Sequence, residues 1–144
     1  MQHLLRLAQW PTSFRVPVPV QTVNAVRNLD AGYYTLRTLS TLLDDWTGVP
    51  FPTKFSSDRK LETFTLRRGN SELMVAAWIP GNTTDGVVET KTDLTIPGVR
   101  AREAWVADVL NGTEQKLVIS SGEEGTSIQG LRIKDYPTVI RLTR

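Results

Sequence analysis

Apolar and polar residues follow a helical rhythm in one short stretch of this chain and a strand rhythm in nearly everything after it. Leu36, Leu39, Leu43 and Trp46 fall at i, i+3, i+7 and i+10, flanked by Leu42, which places them on one face of a helix. The spacing predicts a helix from Tyr33 to Trp46, with Asp30 as N-cap, Gly48 closing it in a left-handed conformation and Pro50 preventing its continuation. Upstream, Pro11, Pro17 and Pro19 fix φ and remove backbone donors, so the first thirty residues read as an irregular arm.

From Phe51 the period becomes two, and turn residues arrive every ten residues or so, the pattern of an antiparallel sandwich. Strands are expected at Phe51 to Ser56, Glu62 to Arg68, Glu72 to Ile79, Val88 to Ile96, Glu103 to Leu110, Gln115 to Ser120, Ser127 to Lys134 and Thr138 to Leu142. Gly69-Asn70 and Pro80-Gly81-Asn82 mark turns, and Asn111-Gly112 is expected to form a two-residue type I′ hairpin with both residues at positive φ. Gly130, inside its strand, signals a bulge or a close backbone approach. The expected fold is thus mainly β: a two-sheet antiparallel β-sandwich of about eight strands over 49–144, preceded by a helical segment over 30–48 and an arm over 1–29.

Composition narrows the function classes. At 144 residues, 40% hydrophobic and 22% charged, the chain suits one soluble core without staples. Seventeen basic and fifteen acidic residues leave a net charge of +2, and the pairs Arg67-Arg68 and Arg100/Arg102 are interleaved with acids, so no nucleic-acid face is expected. No apolar run approaches the roughly 18 residues of a membrane span, and the opening His3 to Leu7 is too short and interrupted for a signal core. Neither a membrane partner nor a compartment follows.

The chemistry available is sparse. Cysteine is absent and His3 is the sole histidine, which removes Ser-His-Asp and Cys-His mechanisms and leaves zinc without a ligand set. Asp85 and Glu89 sit near the loop Asn82 to Gly86, but the D-x-D-x-D-G calcium pattern is missing, so no metal or other cofactor is expected. Gly122-Glu123-Glu124-Gly125 is acidic and would repel phosphate. Asn82-Thr83-Thr84 and Asn111-Gly112-Thr113 match the glycosylation pattern and read as ordinary turns.

Four residues stand out as binding candidates. Asp108 shares an alternation with Val106 and Leu110, and Asp135 directly precedes Tyr136-Pro137. Either carboxyl would serve as an acid in a cleft; the favoured reading makes each an acceptor of backbone hydrogen bonds that holds a corner of the sandwich. Trp78 and Trp105 offer flat faces for stacking on sugar, yet alternation groups Trp78 with Met74 and Ala76, and Trp105 with Ala107 and Val109, so both rings read as core.

Three stretches, Tyr33 to Thr41, Asp108 to Gln115 and Lys134 to Leu142, resemble the end of bacterial glycoside-hydrolase-like proteins in which a (β/α)₈ barrel is followed by a C-terminal β-sandwich. The resemblance spans roughly Tyr33 to Leu142. It implies that the helix is the last of a barrel and that the chain is a fragment whose catalytic carboxylates belonged to absent barrel strands, so no catalytic residue is carried over. The expected function is a non-catalytic accessory domain of a carbohydrate-active parent. The alternatives are an autonomous carbohydrate-binding module, whose partner would be sugar, and a protein-interaction domain. The expected partner is the missing barrel or a second copy of the chain, either one covering Leu36, Leu39, Leu43 and Trp46.

Overall fold

A computed structural model describes residues 31–81 and 88–144. Two compact units emerge: one holds the helical segment up to Asp44 together with Leu110–Gly112, the other Asp45–Val109 and Thr113–Arg144. Asp30, the N-terminal arm, the Asn82-Thr83-Thr84 pattern and Asp85 lie outside the described residues.

In the first unit, α1 runs over Ala31–Leu42. Its last turn is extended by the Leu43 N–H, which donates to the Leu39 carbonyl at 2.9 Å. Ser40 and Thr41 both turn their hydroxyls back onto the Arg37 carbonyl, at 2.8 and 3.0 Å, a bonding mode that competes with the helical ladder near its end. The left-handed residue beyond the helix is Asp45, at φ 62°, and not Gly48. A short polar side chain tolerates that conformation, so the chain leaves the helix earlier than the apolar spacing suggests. Trp46 therefore lies beyond the helix and is not part of its stripe, while Leu36 and Leu43 are 47% and 38% exposed.

Among the described residues, the second unit is a β-sandwich of ten strands. These are β1 (Thr47–Gly48), β2 (Lys54–Phe55), β3 (Glu62–Arg68), β4 (Glu72–Trp78), β5 (Glu89–Pro97), β6 (Glu103–Asp108), β7 (Thr113–Leu117), β8 (Ile119–Gly122), β9 (Gly125–Lys134) and β10 (Thr138–Thr143). One sheet has the order β1-β3-β4-β10-β6-β7, the other β2-β5-β9-β8, and every pairing is antiparallel. The final apolar strand, β10, is central, paired with β4 on one side and β6 on the other. That position explains why Val139, Ile140 and Leu142 are all buried.

The core between the sheets follows the period-two pattern. Leu73, Val75 and Ala77 from β4, with Ala104, Ile140 and Leu142, meet Leu94, Ile96, Ile128, Leu131 and Ile133 from the smaller sheet. The other face of the larger sheet is apolar as well, with Leu66, Met74, Ala107 and Val139 buried there. In β9 the inward positions step from Ile128 to Leu131, a phase jump that the bulge creates. Thr92 pairs with Leu131 and Leu94 with Ile128, so Asp93 faces both Gln129 and Gly130. Gly130 takes φ 69°, and its N–H donates to Asp93 Oδ1 at 2.8 Å.

Two local expectations are corrected. The loop between β6 and β7 spans four residues, Val109 to Gly112, and only Gly112 takes a positive φ, of 65°, while Asn111 does not. A four-residue connection closed by one left-handed glycine replaces the two-residue type I′ turn. The segment from Gln115 to Ser120 is two strands in different sheets, β7 and β8, and the chain changes sheet at Val118.

Candidate functional site

The most organised group of polar side chains in the sandwich lies where β9 leads into β10. Asp108 ends β6, and the register that opposes it to Thr138 puts it in line with Ala104 and Val106 on the inward side. Lys134 ends β9 in the other sheet, and its backbone carbonyl accepts from the Ile79 N–H at 2.8 Å. Tyr136 sits in the short connection that carries the chain between sheets. The Lys134 ammonium donates to Asp108 Oδ2 at 2.9 Å and to the Tyr136 hydroxyl oxygen at 2.6 Å, and the Tyr136 hydroxyl donates to the same Asp108 oxygen at 3.2 Å. Lys134 Nζ also stands 5.0 Å from the centre of the Tyr136 ring.

This geometry sets the proton affinities. The Tyr136 hydroxyl and the Asp108 carboxylate, in that order, hold the Lys134 ammonium above its ordinary value, against a smaller opposing effect of burial. Burial pushes the Tyr136 phenol up. Both groups therefore keep their protons throughout the neutral range, whereas a group that exchanges protons in catalysis needs an affinity near the working pH. The cluster is suited to tying the two sheets together.

The four sequence candidates divide accordingly. Asp108 is brought into the cluster, where its carboxylate accepts from Lys134 and Tyr136. Asp135 is not joined to it; its backbone N–H donates to the Val88 carbonyl at 3.0 Å. Trp78 and Trp105 are half-buried and lie on the face of the larger sheet turned away from the inter-sheet core, in line with Met74 and Ala107, which corrects their reading as core rings. The alternation groups them properly but does not tell which face meets the other sheet. The Lys116 ammonium stands 5.8 Å from the Trp105 ring centre. Trp46 is engaged similarly: the Arg68 guanidinium lies 4.9 Å from its ring centre and makes a bidentate pair with Glu72 at 2.7 and 3.0 Å.

Sequence reasoning missed Lys134 and Tyr136 as partners of Asp108, although both fall in the segment singled out around Asp135. It also missed Thr126. This fully buried hydroxyl donates to the Val99 carbonyl at 2.7 Å and accepts from the Ala101 N–H at 2.9 Å, holding the β5 to β6 crossover onto β9. Ser121 adds to it, donating to the Ala101 carbonyl at 2.7 Å. An open concavity of about 340 Å³ beside the β8–β9 hairpin is lined by polar and acidic residues, Glu123 and Glu124 among them, and by no aromatic ring. Among the described residues, no group of three or more His, Cys, Asp or Glu is placed to hold a metal ion, and no helix is long and apolar enough to cross a membrane.

No protein-family model matches the chain, and no curated protein sequence matches it. Among solved structures, alpha-L-fucosidase isoenzyme 2 from Paenibacillus thiaminolyticus is similar in backbone course, with a TM-score of 0.49 at 8% identity. The match covers 78% of this chain and 17% of the fucosidase chain.

Proposed function

We propose that this chain serves as an accessory β-sandwich domain with a structural role and no catalytic centre of its own, attached to a glycoside-hydrolase-like parent. The observation that carries the structural half is the engagement of Asp108. Asp108, one of the two candidate acids in the sequence, shares one oxygen between an ammonium and a phenol that both retain their protons, and it links the end of β6 to the end of β9. The parent is inferred from the resemblance of Tyr33 to Thr41, Asp108 to Gln115 and Lys134 to Leu142 to the ends of such proteins. In this reading the exposed Leu36 and Leu43 of α1 are covered by preceding elements of the parent.

The folded chain is expected to turn over no aryl glycoside, and Asp108→Asn to lose stability with no activity to lose. Turnover by the wild type that vanishes in Asp108→Asn while the fold persists would overturn the structural half. Binding of free oligosaccharide with a change in tryptophan fluorescence would favour a sugar-binding module instead. The coding sequence immediately upstream tests the parent: barrel-forming β/α repeats support it, and an unrelated gene sinks it.

A further inference from the structure

Among the described residues, four strands stand at sheet edges: β1 and β7 in the larger sheet, β2 and β8 in the smaller. An open edge presents unpaired backbone donors and acceptors, and very short edge strands are one way of blunting it. β1 and β2 are two residues each, and β8 is four residues ending in Gly122. β7, Thr113–Leu117, is the longest, contains no proline, and is exposed at its first four positions. Directly after it, Val118 is 92% exposed, the most exposed large apolar side chain among the described residues.

We infer that the β7 edge receives the β7 edge of a second copy of this chain, by antiparallel strand addition about a two-fold axis at Gln115. The charge pattern selects this occupant. Antiparallel pairing centred on Gln115 sets Glu114 against the partner's Lys116 and Lys116 against the partner's Glu114, so both charged positions meet their opposites twice in one interface. Within each copy these charges already have partners: Arg141 Nη2 lies 3.5 Å from Glu114, and Lys116 pairs with Glu103. Strand addition extends them into two rows of alternating sign, Arg141, Glu114, the partner's Lys116 and the partner's Glu103. A parallel arrangement would set Glu114 beside a glutamate and Lys116 beside a lysine, so the charges disfavour it. The register also carries Val118 past the start of the partner's strand, withdrawing part of its surface from water. The result is one sheet continuous across the dimer, with the six strands of the larger sheet contributed by each copy.

The test uses the full chain, with light scattering and sedimentation as its concentration is raised through the micromolar range. The wild type should pass from monomer to dimer. Glu114→Lys and Lys116→Glu should each weaken the dimer about tenfold or more, since each creates two like-charge contacts across the interface. An equimolar mixture of the two single variants should associate again, because both lysines of the first variant then face the two glutamates of the second across the interface. The double reversal should restore the homodimer. Amide exchange in the wild type, which needs no variant, should slow at 113–117 as concentration rises. A wild-type monomer throughout, a dimer indifferent to the reversals, or a mixture that stays monomeric would each overturn the inference; the middle outcome would point to another surface such as α1.

Discussion

The Lys134 ammonium and the Asp108 carboxylate meet at 2.9 Å across the two sheets of the sandwich, with side chains only 26% and 20% exposed. Exposed ion pairs contribute little because water screens them and side-chain entropy opposes them. This pair is partly withdrawn from water and shares a third group, Tyr136, so it should matter more. Asp108→Asn is expected to cost about 1–3 kcal/mol, since the ammonium loses its charged acceptor. Urea unfolding measures this as a lower midpoint at unchanged slope. An unaltered midpoint would mean that the two sheets do not depend on the cluster.

The same cluster predicts an alkaline limit to stability. Lys134 and Tyr136 both have proton affinities raised above their ordinary values of 10.5 and 10.0, so the folded state binds their protons more tightly than the unfolded chain does. Their contribution is complete below about pH 10 and is lost as the pH rises through the folded values. Melting temperature followed from neutral pH to about pH 11 should fall more steeply for the wild type than for Lys134→Met. Parallel curves would show that Lys134 is not linked to folding.

Thr126→Val keeps the shape of a fully buried side chain but removes the hydroxyl that accepts the Ala101 N–H and donates to the Val99 carbonyl. The buried donor is left without its partner, at a cost of about 1–3 kcal/mol. Thr126→Ser retains the hydroxyl and loses a methyl group, so the pair separates hydrogen bonding from packing. A valine variant as stable as the wild type would show that water or rearrangement satisfies the crossover.

Glycines at positive φ should differ by what stands beside them. At Gly125, φ 133°, an added Cβ would lie 2.2 Å from the Ile96 carbonyl oxygen and 2.9 Å from the Pro97 Cα, both backbone atoms that cannot swing aside. Gly125→Ala is expected to cost about 3 kcal/mol or more, and Gly69→Ala, with open space around a φ of 56°, about 1 kcal/mol. Gly112→Val combines β-branching with a φ of 65° and should fall between them. Thermal denaturation of the three variants tests the order, and an equal loss at Gly69 and Gly125 would remove the steric part of the explanation.

The fold class is legible in the chain because burial on one face of a strand writes itself as alternation. Thr92, Leu94 and Ile96 show it directly, and even the bulge leaves a trace in the three-residue step from Ile128 to Leu131 across Gly130. What alternation does not carry is which face of a strand meets the other sheet, since both faces of the larger sheet bury apolar side chains. It therefore groups Trp78 and Trp105 with the right neighbours while leaving their face to the packing of the sheets. The helix end and the turn at Asn111-Gly112 hinge on single φ angles at Asp45 and Gly112, which local composition biases but does not dictate. Partnership across 26 residues, as between Asp108 and Lys134, leaves no periodic signal at all, because it exists only once two sheets have packed and brought the ends of β6 and β9 to within a hydrogen bond.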